Sequence, residues 1–443
     1  MTGIPLTIAD ARRTSISPAH RRMLVSCFLG TTIEWYDFLV YGFLAPVAFN
    51  SLFFPSLSPL AGTIAAFGVF AVGFAARPLG GVFFAHYGDR VGRKPIMVST
   101  LILMGASTTL MGLTPTFAQI GIAAPLVLVA LRFVQGFSLG GESAAGPLLA
   151  MESAPGHTRG FFAALVSSGA AAGTVLGALA VFAVGALPRE QLMSWGWRLP
   201  FLLSAPIFAI SFYVRMKVEE SPIFQRAIQR AAPERVPLLA VLERCKIPTL
   251  QVLLCAMAES STFYFTSVFG LSYGIQTLKL SNGLLLSGVA IGNAVGIITN
   301  PVFGALSDRI GRRPLLGASY FLAALYVLFL FFPLLRTADP LIVIIAMAIP
   351  GAILQPMSLA VSGSFYPERF ADAKLRLSGV SLGRQLGTIL GGGLMPMIAV
   401  TLQKWSGGSL TWVLAYFVLI CVMAVGAVIS AHETAKADLE RLA

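Results

Sequence analysis

The feature that most limits what this chain can fold into is a mostly apolar run of about 20 residues that recurs twelve times in its 443 residues. The runs fall at 23–49, 60–86, 95–114, 120–149, 160–186, 197–214, 248–275, 283–306, 315–335, 340–365, 377–402 and 410–431. Such a run, coiled as an α-helix, satisfies its own backbone while crossing hydrocarbon. Runs longer than the bilayer is thick imply tilt or extension beyond it. Breakers separate them: Pro55 and Pro59, Pro115, Pro188, Asn282-Gly283, Pro340 and Gly407-Gly408. Only 11% of residues are charged against 56% hydrophobic, too few charges to coat soluble domains of this length. A soluble enzyme is excluded, and an all-α membrane protein of twelve spanning helices is expected.

The formal net charge of +12 would suit a nucleic-acid binder if its residues were spread over one surface. They are instead clustered between runs. With the N-terminus in the cytoplasm, 23 of the 31 Lys and Arg fall on inner segments, and only Arg189, Lys279, Arg336 and Lys404 fall outside. This positive-inside bias puts both termini in the cytoplasm and excludes nucleic acid as a partner. The first run is too long, and carries acids, to be a cleaved signal. Cys27, Cys245, Cys255 and Cys421 have no CxxC spacing and read as small core residues. The four histidines are scattered, so no metal or other cofactor is expected.

The chain repeats itself. Gly88-Asp89-Arg90-Val91-Gly92-Arg93-Lys94-Pro95 follows the second run, and Ser307-Asp308-Arg309-Ile310-Gly311-Arg312-Arg313-Pro314 follows the eighth. Glu152 to Arg159 after run four echoes Glu368 to Arg376 after run ten. Six spans per half, repeated in parallel, is the plan of a two-lobed transporter. The expected division is a cytoplasmic segment 1–22, a lobe at 23–214, a cytoplasmic linker at 215–247, a second lobe at 248–431 and a short tail at 432–443. In the repeated loop the glycine permits a very tight turn. The aspartate can face a helix N-terminus or a neighbouring arginine, and the arginines can anchor the turn at the membrane surface. Asp89, Arg90, Arg93, Asp308, Arg309 and Arg312 are therefore gate candidates. Glu142, in the inner half of run four, joins them as a contact for the basic 88–94 loop.

At these residues the sequence resembles the major facilitator superfamily, and within it the metabolite:proton symporters, a family that includes shikimate, 2-oxoglutarate, citrate and proline/betaine permeases. The resemblance also rests on Glu34-Trp35-Tyr36-Asp37-Phe38, Phe53-Phe54-Pro55, Arg77-Pro78-Leu79-Gly80-Gly81, Arg132-x-x-Gln135-Gly136, Gly140-Gly141-Glu142, Glu152-Ser153-Ala154-Pro155 and Trp195-Gly196-Trp197-Arg198-Leu199-Pro200. It covers nearly the whole chain. It implies a proton-driven secondary transporter of the bacterial inner membrane, working as a monomer in two pseudo-symmetric six-helix lobes.

An ionisable group at mid-bilayer costs roughly 2.5–3.5 kcal/mol even on lenient scales, so such residues face a cavity or a partner. Glu34, Asp37, Arg77, Arg132, Glu142, Arg198, Glu259 and Arg384 lie in or beside the runs. Glu34 and Asp37, three apart, share a helix face. Asp37, with Glu34, is expected to face Arg132 at a similar depth, so that a substrate anion engaging the arginine favours protonation of the acid. Arg77 is a candidate carboxylate ligand by its match to arginines in the 2-oxoglutarate permeases. Arg384 and Gln385 are the most individual feature: shikimate-permease-like relatives carry tyrosine where Arg384 stands, and guanidinium binds carboxylate bidentately. Tyr36, Gln135 and Tyr264 are further candidate substrate contacts, and Tyr41 and Phe263 candidate pocket walls. Glu259, in the run pseudo-equivalent to the first, could carry a proton but is assigned to structural pairing, with Arg384 as one possible partner, and Arg198 to a snorkelling role at the outer end of run six. In run five, Gly169-x3-Gly173-x3-Gly177 permits close helix approach. Antiporters of the superfamily carry a Gly-Pro version there, and this chain lacks the proline.

The expected function is proton-coupled import of a small carboxylate-bearing metabolite. The nearest alternative is uptake of a zwitterion such as proline or betaine. The osmosensing relatives carry a long C-terminal coiled coil, and here about a dozen residues follow the last run. Drug/proton antiport comes third.

Overall fold

The computed structural model describes residues 18–91, 93–140, 150–151, 154, 158–209, 241, 243–370 and 373–435. Within these it is helical throughout. The long helices are α1 (Arg21–Phe53), α2 (Pro59–Val91), α3 (Arg93–Leu113), α4 (Ala123–Gly140), α5 (Arg159–Gly185), α6 (Lys246–Gln276), α7 (Asn282–Ile310), α8 (Arg312–Arg336), α9 (Pro340–Glu368), α10 (Ser378–Trp405) and α11 (Thr411–Ser430). All but α3 are long and apolar enough to cross a membrane, and α3 has a shorter apolar stretch at Val98–Leu113. Among the described residues ten spans are thus seen, and parts of the fourth and sixth of the twelve expected runs lie outside them. The sixth run is represented by a turn at Gly196–Arg198 and helix from Leu199 to residue 209. Most of the expected linker, the ends 1–17 and 436–443, all of Glu142 and the side chains of Asp89, Arg90 and Arg93 lie outside the described residues. The second half starts at Lys246, two residues before the expected run.

The helix starts follow local chemistry. Asp339 caps α9, its carboxylate accepting from the Leu341 and Ile342 N–H groups at 3.0 and 3.1 Å. Ser281 caps α7 in the same way, and Pro59 and Pro340 open helices where no N–H is needed. Gly407 and Gly408 turn the chain at φ 65° and 95° between α10 and α11. The bundle wears its apolar residues outward: Leu79, Val82, Ile298, Val302, Phe329 and Ile429 are all more than half exposed. On a soluble protein such a surface would aggregate, and against lipid it is the solvent match. Trp405 and Trp412 stand exposed together at one end, as interfacial anchors do.

Close contacts depend on small residues. A side chain at Gly173 would come within 2.8 Å of Trp35 Cβ, so the α5 glycine stripe allows α1 to lie against it. The same helix joins the second half along α7. At one end a Cβ on Gly160 would lie 2.7 Å from the Gly304 carbonyl, and at the other a Cβ on Gly185 would lie 2.7 Å from Asn282 Nδ2. Five of the long helices (α1, α6, α8, α9 and α10) contain a π-helical turn, at Ala45–Phe49, Tyr264–Phe269, Val327–Phe331, Pro350–Leu354 and Ile389–Gly393. Those in α6 and α10 lie beside the buried charges described next, where the irregularity redirects side chains.

Candidate functional site: buried arginines and a charged seam

The centre of the bundle holds two arginines in an aromatic cage. The Arg77 guanidinium lies over Phe38 and Phe74, 4.4 and 4.5 Å from the ring centroids. Arg132 lies 3.9 Å over Tyr41, 4.8 Å over Phe38 and 5.3 Å over Phe70. Phe38 therefore contacts both cations. Arg132 is fully buried. It donates through Nη1 to Gln135 Oε1 and through Nη2 to the Phe38 carbonyl at 3.2 Å. Gln135 in turn donates to Thr108 Oγ1 at 2.7 Å and to the Asp37 carbonyl at 3.3 Å. Among the described residues neither arginine forms an ion pair, Arg77 donates no hydrogen bond, and the Nε of each has no partner. Burying a guanidinium costs several kcal/mol after relaxation, whereas a cation–π contact returns about 0.5–2 kcal/mol. The balance favours an added anion.

Asp37 and Arg132 are buried in the same neighbourhood and within electrostatic range of each other, as expected, but they form no direct ion pair: Asp37 Oδ1 accepts from Ser204 Oγ at 2.6 Å and Oδ2 has no partner. The arginine is turned to Gln135 and the rings. The reason is local: the first turn beyond Asp37 presents the Phe38 carbonyl and ring to the guanidinium, and Gln135 one turn along α4 fixes the rest. Tyr36 is corrected. Expected as a substrate contact, it donates its hydroxyl to the Pro200 carbonyl at 2.6 Å, pinning α1 to the sixth-run segment. Gln135 positions Arg132 from a fully buried place. Glu34 is half-buried, on the same side of α1, and within electrostatic range of Arg77.

The second half contributes Tyr264, Arg384 and Glu259. Tyr264 packs its ring 5.7 Å from Phe70 and 5.4 Å from Phe74, across the boundary between halves. Trp35 meets Phe263 edge-on at 5.2 Å in the same layer. Arg384 and Tyr264 both lie within electrostatic range of Arg77. Arg384 Nη2 is 3.9 Å from Glu259 Oε1, and Tyr366 donates to Glu259 Oε2 at 2.9 Å. Arg384 is thus the partner that sequence reasoning offered for Glu259. Gln385 is buried on the next position of α10. Arg198 donates to the Gly112 and Thr114 carbonyls, each at 2.8 Å, and stacks on Trp197, which joins the sixth-run segment to α3.

The second copy of the repeated loop forms a charged seam. Gly311, at φ 108°, makes the tight turn between α7 and α8. The Asp308 carboxylate accepts from the Gly160 and Phe161 N–H groups at 2.9 and 3.0 Å, at the N-terminus of α5 in the other half. Arg312 reaches Asp308 at 2.8 Å and Glu368 at 3.5 Å. Of this loop's arginines, expected at the membrane surface, Arg309 is exposed. Arg312 is fully buried instead, because two carboxylates and Ser307 surround it. The segment after α11 closes over the seam, unforeseen from sequence. Glu433 accepts from the Arg312 and Arg313 N–H groups at 2.9 and 3.0 Å, and Thr434 donates to Glu368 Oε2 at 2.6 Å. Partial burial would raise the Glu433 carboxyl, but backbone N–H groups of Arg312, Ala435, Arg313 and Thr434 outweigh it and hold it below its ordinary value of 4.5. At the opposite end Gln276 Nε2 donates to Thr63 Oγ1 at 2.6 Å. The halves are bridged at both ends.

A lipid-facing helical bundle with paired halves around unpaired buried charge is the form of a membrane transporter. The sequence profile of the Major Facilitator Superfamily matches residues 27–371 and 283–438, and the chain belongs to that superfamily. It is similar to the shikimate transporter of Escherichia coli (strain K12), 37% identical over 421 residues that cover 94% of this chain and 95% of the relative. It is also similar to the proline/betaine transporter of Salmonella typhimurium (strain LT2), 32% identical over 452 residues, covering 98% and 88%. The fold matches the xylose transporter XylE from E. coli in a partially occluded inward open conformation. The TM-score is 0.68 at 17% identity, covering 94% of this chain and 99% of that one. The chain is a multi-pass inner-membrane transporter and not an enzyme.

Proposed function

We propose that the protein imports a small carboxylate-bearing metabolite together with protons, by alternating access of two lobes around the caged arginines. The observation that carries this reading is that Arg77 and Arg132 are buried without an ion pair among the described residues. A planar carboxylate matches the guanidinium fork. Arg384, and Tyr264 from the second half, complete the ligand set on this reading. Asp37, with Glu34, is the proton carrier expected in the first lobe, and wild-type coupling in Asp37→Asn would remove it from that role. The Asp308–Arg312–Glu368 seam, with its counterpart Asp89–Arg90–Arg93 and Glu142, is read as the gate. Twelve spans, lobes at 23–214 and 248–431, cytoplasmic termini and a monomeric state complete the proposal.

The zwitterion reading draws on the proline/betaine relative and on the cage itself, since aromatic faces hold quaternary ammonium. Here those faces already carry guanidinium groups, which repel a second cation. A thermal-shift panel decides between the readings: mono-, di- and tricarboxylates, shikimate-like ring acids and betaines against the purified protein. Stabilisation by ring or small carboxylates is expected. Stabilisation by betaines or cationic drugs alone overturns the anion assignment. Uptake into proteoliposomes under an imposed pH gradient then tests the direction of flux.

A further inference from the structure

We propose that Glu259 is the counter-ion that the substrate carboxylate displaces from Arg384, and that the displaced Glu259 takes up a proton of its own, beside any carried in the first lobe. The proposal rests on the carboxylate reading above and adds a residue to it. A substrate anion can be exchanged for a protein carboxylate only where a protein ion pair already exists. Among the described residues the two caged arginines of the first half form no such pair, and Asp37 accepts from Ser204. In the second half Arg384 and Glu259 form such a pair, and a loose one: a single N···O approach of 3.9 Å, with 21% of the Arg384 side chain accessible and 8% of Glu259. Arg384 also lies within electrostatic range of Arg77, so cations from both halves act on the same region. Binding of an anion at Arg384 loosens it from Glu259.

The geometry also says where the proton goes. Glu259 Oε2 accepts from the Tyr366 hydroxyl at 2.9 Å, and Oε1 is the oxygen that faces Arg384. When the substrate takes the guanidinium, Oε1 loses its cation while Oε2 keeps its hydrogen bond. A proton from water adds to Oε1, giving a neutral acid that Tyr366 still holds. The exchange balances: one anion and one proton enter, and the net charge of the site is unchanged. The groups facing Glu259 are few. Tyr366 comes from α9, Tyr320 from α8, Arg384 from α10 and Cys255 from one turn earlier on α6. The Tyr320 hydroxyl is occupied by the Cys255 carbonyl at 2.9 Å. Helix α11 carries no charged residue. Arg369 lies further along, within range of Cys255 and bonded to Gln251 at 3.0 Å. Arg384 is therefore the one cation among the described residues positioned to release Glu259.

The test is calorimetric titration of the purified full-length protein with shikimate as probe, in two buffers of different ionisation enthalpy. This yields the number of protons taken up per bound probe. The wild type is expected to take up about one proton more than Glu259→Gln. The variant's affinity is expected to be tighter than wild type above neutral pH and to depend less on pH than that of the wild type. Arg384→Gln removes the cation but leaves the carboxylate, and is expected to bind about tenfold more weakly without proton uptake at this site. If Glu259→Gln retains the wild-type proton uptake, or Arg384→Gln binds as the wild type does, the exchange is overturned while the carboxylate reading stands. If wild type binds neither shikimate nor any acid of the panel, both fall.

Discussion

The two halves treat their buried arginines differently. In the first half Arg77 and Arg132 are held by rings and neutral acceptors, and neither forms an ion pair among the described residues. In the second half Arg384 has a carboxylate partner that a tyrosine keeps in place. Unpaired cations fixed in a rigid cage make a permanent anion site. A paired cation makes a conditional one, because the substrate must compete with the protein's own acid. On the proposed function, the two halves would divide the work of binding and of responding to binding.

The first way to break this comparison is to remove the caged cations. A hydrogen bond to a charged group contributes about 1.5–3 kcal/mol, and each 1.4 kcal/mol is tenfold in affinity. Arg132→Ala or Arg77→Ala is therefore expected to weaken carboxylate binding about a hundredfold by calorimetry. Arg384→Gln loses only about tenfold, since in wild type Glu259 competes for that site. Equal losses at all three positions would erase the distinction between the halves.

The Arg-rich seam gives the next largest effect. Asp308→Asn keeps the side chain's shape but removes the charge that holds the α5 N-terminus and Arg312. Maleimide labelling of Ala164→Cys, which packs beneath Gly304 at this seam, is expected to accelerate about tenfold. Unchanged labelling means that the seam does not hold the halves together. Phe38→Leu sharpens the comparison further, since it removes one ring from both arginines. A loss of about 0.5–2 kcal/mol corresponds to roughly two- to thirtyfold weaker binding, and glutamine transplanted at Arg384 in the same background should add its own loss independently.

The smallest effect is expected at Glu433. Its carboxylate is held below 4.5 by backbone N–H groups, so its contribution to the folded state is fully present above that value. It is lost as pH falls through the lower, folded value. Because this carboxylate is exposed and screened by solvent, Glu433→Gln should lower the thermal midpoint only slightly, by about a degree at pH 7, with the difference from wild type closing as the pH falls through the folded value. A difference that stays constant with pH would show that the charge is not what matters there.

Much of this was legible in the chain. The apolar runs located the eleven long helices of the described residues, all but the end of α4 to within a few residues, because a helix in lipid needs a length and an apolar composition that leave little freedom. The repeated Asp-Arg-x-Gly-Arg loop marked the Asp308 seam and the glycine turn at Gly311, since only glycine accommodates φ 108° there without strain. The pairing of buried acids with buried bases was less legible. Depth along two helices put Asp37 level with Arg132, but depth says nothing about rotation. The helix face that carries Asp37 meets Ser204, and the next residue's ring and carbonyl take the arginine. Tyr36 was read as a ligand because aromatic residues near charges often are, and only the approach of Pro200 assigns its hydroxyl elsewhere. The cage of Phe38, Phe70 and Phe74 carried no signal among 32 phenylalanines. The Glu433 clasp was hidden for a different reason: a short polar segment after the last apolar run has no periodicity to read.

The sequence by itself determined that this chain lives in a bilayer, that it is built twice over, and that a handful of charges are buried at its centre. Those properties depend on length, apolarity and residue type, which are local and countable. The tertiary structure decided which charge meets which: Arg384 with Glu259, Arg312 with Asp308 and Glu368, and Arg77 and Arg132 with rings in place of an acid. Partner choice depends on how helices far apart in the chain are rotated and how closely their small residues let them approach, and that information is carried by no single segment.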